Sequence, residues 1–216
     1  LKVKKMGIVK KGVNGGLSGK AGSVVGSSWK DIDYIKGLPK KSNKPATQAQ
    51  LEQQARFALG VKTLQPITSL LNEGFKGQNS GKATGYNMAL QHFPSQAITG
   101  VYPTFAVDYK NMLISKGNLA KPSSVTLASD AGTLTISWTV LLSKFGAFSD
   151  DEANVLIYNP AKNIYLPAEG STRGEGELQI ALPADFVGDT VHVFLFFINR
   201  DGSRKSESVY AGQIVI

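Results

Sequence analysis

A chain of 216 residues, 42% hydrophobic and 19% charged, has the makeup of a folded globular protein, with room for one large domain or two small ones. The absence of cysteine excludes disulfides, thiolate nucleophiles and cysteine-held metals, and no apolar run approaches the roughly 20 residues that span a bilayer. The net charge of +8 is unevenly spread: residues 1–46 carry eleven lysines and two aspartates, 47–121 seven bases and three acids, and 122–216 six bases and eleven acids. A basic leading segment attracts nucleic acid, another anionic surface, or the acidic half of a second copy, with a solvated tail as the plain alternative.

Lys2, Lys4 and Lys5 are followed by glycines and further lysines instead of an apolar stretch, so no secretory signal is visible, and Met6 is a second candidate start. Seven glycines from Gly7 to Gly26 separate short β-prone pieces, Gly7-Ile8-Val9 and Ser23-Val24-Val25. In the next piece Trp29, Asp31, Asp33 and Ile35 alternate with Lys30, Ile32, Tyr34 and Lys36, which leaves neither face cleanly apolar. Short extended segments or hairpins without a core are expected, followed by a linker, GLPKKSNKPA, over residues 37–46. Residues 1–46 therefore read as a basic, glycine-rich extended arm.

Residues 47–107 read as a helical segment. Thr47 and Gln50 match the T-x-x-Q capping box, and Leu51, Ala55, Ala58 and Leu59 recur at helical spacing. Pro66 should end or kink this helix, with a further turn or two through Ile67, Leu70 and Leu71. After a loop from Gly77 to Gly81, a second helix is predicted over about 83–96, and both helices are expected to pack on a sheet.

From about residue 108 the period becomes two. Leu134, Ile136, Trp138 and Val140 alternate with threonines and serine, and Leu178, Ile180 and Leu182 repeat the pattern. Residues 191–199 and 204–216 flank Asp201-Gly202, a hairpin signal, and further strands are expected near 109–114, 123–128 and 153–158. About seven short strands predict a sandwich over residues 108–216, and a mainly β chain with a short helical segment, an α+β class.

The stretch LPADFVGDTVHVFLFFINRDGSRKSES, residues 182–208, resembles the last hairpin of a fibronectin type III or related immunoglobulin-like domain. Trp138 is similar to the buried tryptophan of that family, while Val191 stands near the place of its usual tyrosine. GGLSGKAGSVVGSSWK, KPATQAQLEQQARFAL and the C-terminal hairpin together resemble an uncharacterised Bacteroidota family. That resemblance implies a bacterial or phage-associated source and carries no activity over.

No catalytic kit emerges. His92 on the second helix and His192 in an apolar strand stand apart from any nucleophile motif, and structural roles are expected for both. Gly16-Leu17-Ser18-Gly19-Lys20 misses the nucleophile elbow because Lys20 takes the place of its last glycine. Gly19-Lys20 and Gly81-Lys82 are each followed by alanine, so neither makes a phosphate loop. Asp150-Asp151-Glu152 offers hard oxygen ligands without the alternating spacing of a calcium loop, and a solvated loop is expected there. No catalytic residue, cofactor or metal site is assigned.

Two features point to a partner. The strand from Val191 is apolar on both faces, with Val191, Val193, Leu195 and Phe197 on one and Phe194, Phe196 and Ile198 on the other. One face enters the sandwich, and the other is covered by the chain's own helices or by another subunit. The glycine-rich arm can complete a second molecule's sheet, a head-to-tail contact that need not close. The expected function is a non-enzymatic structural subunit that self-assembles by arm or strand exchange, as an extracellular filament or virion component. The expected interface comprises Val24, Val25, Trp29 and Ile35 with Phe194, Phe196 and Ile198, and basic contacts from Lys20, Lys30, Lys40 and Lys41. A homo-oligomer or polymer at a cell surface or outside the cell follows, without a membrane span. The alternatives are nucleic-acid binding, with arm lysines on phosphates and Trp29 or Tyr34 stacking, and surface adhesion through sandwich loops. Arginine is absent before Arg56, which weakens base-specific recognition but not backbone binding.

Overall fold

The structure, a computed structural model, describes residues 8–9, 16–29, 32–38, 44–78 and 83–216. The chain divides into two compact units, Leu1–Ala46 and Thr47–Ile216.

In the first unit β1 (Ile8–Val9), β2 (Leu17–Ala21), β3 (Val24–Trp29) and β4 (Ile32–Gly37) form an antiparallel meander in chain order. The β-prone pieces between the glycines are thus joined into one sheet. Gly26 permits its closest packing: a Cβ there would sit 1.8 Å from the Leu17 carbonyl oxygen, so no larger residue fits the backbone as it stands.

The second unit opens with α1 (Gln48–Leu64). Its capping box forms as the sequence predicts, with the Gln50 amide donating to Thr47 Oγ1 and the Thr47 amide to Gln50 Oε1 at 2.9 Å. Pro66 falls in a 3-10 turn, Gln65–Ile67, after which the helix resumes as α2 (Thr68–Gly74). Thr84 caps α3 (Gly85–Gln96). A short ribbon of β5 (Ile98–Thr99) and β6 (Ala106–Val107) follows. The strand expected at 109–114 is a 3-10 turn, Tyr109–Asn111, at its start. The Asp108 carboxylate accepts from the Lys110 amide at 3.2 Å and from Asn111 Nδ2 at 2.8 Å, a local side-chain turn that competes with extension.

The remaining strands are β7 (Thr126–Asp130), β8 (Thr133–Ser137), β9 (Glu152–Asn159), β10 (Ile164–Thr172), β11 (Glu177–Ala181), β12 (Thr190–Ile198) and β13 (Val209–Val215). They form a three-stranded sheet, β11-β8-β7, and a four-stranded sheet, β10-β9-β12-β13. This is the strand order of a fibronectin type III-like sandwich. Between the sheets Leu134, Ile136, Trp138, Val155, Ile157, Val193, Leu195 and Phe197 make one core. On the outer face of the larger sheet Leu156, Phe194, Phe196 and Ile198 pack with Leu64, Leu71, Phe75, Phe93 and Ile114 in a second.

The chain's own helical layer therefore covers β12, and the mainly β, α+β sandwich has three layers. Phe194 and Phe196 are fully buried and Ile198 nearly so, which removes them from the expected interface with another subunit. Their apolarity is that of a central strand buried on both faces. Residues 47–107 and 108–216, expected as separate segments, share this second core.

Candidate assembly surface

The first unit presents β4. Every residue of that strand is exposed, with Ile32 at 62% and Ile35 at 64% of their free surface, and Tyr34 exposed beside them. The register divides the expected interface residues between two faces. Ile35 lies opposite Gly26, and Val24 opposite Gly37. Val25 lies opposite Lys36, Ser27 opposite Tyr34 and Trp29 opposite Ile32, while Lys20 in β2 lies opposite Val25. Lys20 is exposed and Val24 and Val25 are half-buried. The Lys36 ammonium sits 5.7 Å from the centre of the Tyr34 ring. Lys30, Lys40 and Lys41 lie outside the described residues. Ile32, absent from the expected interface, is as open as Ile35, and Tyr34, also absent from it, is exposed to a lesser degree; their alternation with Asp33 and Ile35 was the signal for them.

Among the described residues β4 ends its sheet, with no strand on its outer side. The edges of the larger sandwich sheet differ. Strand β10 carries Pro167 and a register shift between Ala168 and Ser171, and the β12–β13 ladder shifts between Val193 and Phe194. Such interruptions deny a regular ladder to an incoming strand. At the β10 bulge the exposed Glu152, Glu169 and Glu175 line a hollow of about 300 Å³. Glu175 accepts hydrogen bonds from the Thr172 amide and the Ser171 hydroxyl, which lower its pKa and hold the hollow acidic.

A second exposed surface lies in the loop between β8 and β9, where Val140, Leu141, Leu142 and Phe145 are all open and Phe145 reaches 87% exposure. The loop is ordered by its own backbone: Ser143 and Ala147 exchange hydrogen bonds at 2.7 and 3.2 Å, and Arg204 Nη2 donates to the Phe145 carbonyl at 3.1 Å.

His192 serves packing. His192 stacks on Tyr109 with ring centroids 4.0 Å apart, and its Nδ1 lies 2.8 Å from the Tyr210 hydroxyl. Burial lowers the His192 pKa and raises that of Tyr210. His92 is half-buried on α3. In the acidic triplet, expected as a solvated loop, Asp151 is instead fully buried. Its Oδ2 pairs with Arg173 Nε at 2.8 Å and accepts from the Phe148 amide at 2.9 Å. The Arg173 guanidinium also lies 3.9 Å from the Phe197 ring centre, and Trp138 Nε1 donates to the Arg173 carbonyl. Asp151 is thereby a core residue. No three histidine, aspartate or glutamate side chains among the described residues group as a metal site.

The strand order and the two cores define a fibronectin type III-like sandwich backed by helices. The chain belongs to DUF6266, a family of unknown function whose model matches residues 16–212. No curated protein matches the chain. Among solved structures it is similar to the fn3 domain of the human collagen alpha-1(XX) chain, at 21% identity with a TM-score of 0.33, over 45% of this chain and 85% of that one.

Proposed function

We propose that the chain is a non-enzymatic structural subunit that assembles with copies of itself through its N-terminal sheet, in an extracellular filament, at a cell surface or in a virus particle. The observation that carries the reading is β4, an edge strand with all six residues exposed, three of them Ile32, Tyr34 and Ile35. The strand exposes apolar area on both faces, Ile32 and Tyr34 on one and Ile35 on the other, which a molecule docking along the edge can cover, and that edge, free among the described residues, offers main-chain hydrogen bonds. Residues 1–46 hold eleven lysines and two aspartates, and the acceptor this favours on the next copy is the acidic hollow of Glu152, Glu169 and Glu175. A contact between two different patches repeats from copy to copy without closing.

Light scattering and negative-stain electron microscopy of three proteins test the reading: the full chain, Ile32→Lys/Ile35→Lys, and Glu152→Lys/Glu169→Lys. The full chain is expected to form assemblies larger than a monomer, and both variants to lose them. A full chain that stays monomeric at high concentration sinks the proposal. Adhesion is a second reading, favoured by the exposed loop of Val140, Leu141, Leu142 and Phe145. On that reading Phe145→Ser abolishes retention of labelled protein on target cells and leaves the assembly state unchanged.

A further inference from the structure

On the second unit Lys110, Lys116 and Lys121 line one groove of about 660 Å³, together with the amides of Gln96 and Asn111 and a single carboxylate, Glu207. None of the three ammonium groups has an ion-pair partner among the described residues. Three like charges on one concavity repel one another, and low-dielectric walls focus their field into the cleft. Nothing in the packing of the unit requires them there.

The wall that carries them is rigid. Ser115 Oγ donates toward the carbonyls of Gly74 at 2.9 Å and Ser206 at 2.8 Å, and the Lys116 amide donates to Gly74 O at 3.1 Å. The amides of Ile114 and Ser115 both donate to Ser208 Oγ. A Cβ at Gly117 would sit 1.9 Å from the Lys205 carbonyl oxygen, so the backbone is pressed against the connection between β12 and β13. The Leu119 amide closes the turn on that same carbonyl at 2.9 Å. Lys116 thus stands on a preformed backbone, so that on this wall a ligand has side chains and not the chain to order.

The volume lies within the range of about 300–1,000 Å³ usual for small-molecule sites. The lining contains lysine and no arginine, which suits phosphate, sulfate or carboxylate groups met as point charges. The amides supply partners for hydroxyls, and Leu113 and Val209 an apolar wall. A nucleic-acid strand fits poorly, because the lining holds only two rings, His92 and Tyr210, and Tyr210 is committed to His192 through its hydroxyl and packs its ring on Phe194. We propose that this groove binds a small multivalent anion on a hydroxylated scaffold, either an acidic oligosaccharide or a sugar phosphate. The site is independent of the assembly reading.

Calorimetry on the full chain in about 0.15 M salt, where the Debye length is about 8 Å, uses a heparin-derived tetrasaccharide, fructose 1,6-bisphosphate and neutral maltotriose as probes. At least one of the two anions is expected to bind and maltotriose to give no heat. Lys110→Gln/Lys116→Gln/Lys121→Gln should weaken binding about tenfold or more, and Lys20→Gln/Lys36→Gln on the first unit by less than about twofold. Binding of the tetrasaccharide alone identifies the saccharide source, and of the bisphosphate alone the phosphate source. If neither anion binds, or the groove variant binds as the unaltered chain does, the proposal fails. Should the triple variant lose its cooperative melt, Lys110→Gln/Lys121→Gln, at two exposed positions, is read instead, and affinity within about twofold of the unaltered chain overturns the site.

Discussion

At the scale of single residues the second unit depends on charges placed where water cannot reach. Asp151 and Arg173 are both buried, and Asp151 Oδ1 has no hydrogen-bond partner, so the aspartate is held chiefly through its other oxygen. Arg173→Met strands a buried carboxylate and is expected to destabilise the chain by about 3–5 kcal/mol, whereas Arg173→Met/Asp151→Leu removes both charges and should recover most of that loss. Urea unfolding of the two variants checks the difference. His192 gives a pH dependence of known sign. Burial depresses its pKa below the ordinary value of 6.5, so the unfolded chain binds the proton more readily than the folded one. Its stabilising contribution is full above about pH 6.5 and is lost as pH falls toward the depressed value. Glu73, held low mainly by its hydrogen bond from buried Lys205, loses its own contribution further down, below its ordinary value of 4.5. Melting temperature should therefore fall between about pH 7 and pH 5, and fall less in His192→Gln. An unchanged slope in that variant would remove His192 from the account.

At the scale of elements the central strand β12 joins the two cores. Phe196 is fully buried beneath the helical layer, and Phe196→Ala should cost about 3–5 kcal/mol in denaturant unfolding, against about 1 kcal/mol for Thr47→Ala at the exposed cap of α1. The contrast between these positions also explains what the sequence made legible. The capping box and the alternation of Leu134 and Ile136 are local signals, complete within a few residues. Strand β10 escaped because Pro167 and the bulge at Glu169-Gly170 break the period of two. The acidic triplet misled because the partner of Asp151 lies 22 residues on, in Arg173. The apolar outer face of β12 was visible, but its cover comes from helices more than a hundred residues earlier, and nothing within the strand distinguishes an internal cover from a second subunit. The groove of Lys110, Lys116 and Lys121 was hidden for a related reason, since its opposite wall comes from α3 and β13.

At the scale of the molecule two kinds of exposed surface sit on one chain, and they answer differently to salt. The first unit joins apolar side chains on β4 to a strongly basic composition, and its proposed acceptor is a hollow of three glutamates. Attraction between exposed charges is screened as the Debye length falls from about 10 Å at 0.1 M to about 3 Å at 1 M salt. Burial of Ile32 and Ile35 is not screened, and salting-out anions strengthen it. An assembly driven by both should lose its initial rate in sodium chloride, because encounter is steered by charge, while preformed assemblies dissolve far less. Light-scattering time courses over that salt range measure the rate, and sedimentation of preformed material measures retention. Loss of both together would make the contact one of charge alone, with Ile32 and Ile35 as bystanders. A rate insensitive to salt would instead place the driving force in apolar area, and the stretch 140–147 around Phe145, which carries Lys144 as its one charge, would then be the surface to mutate first.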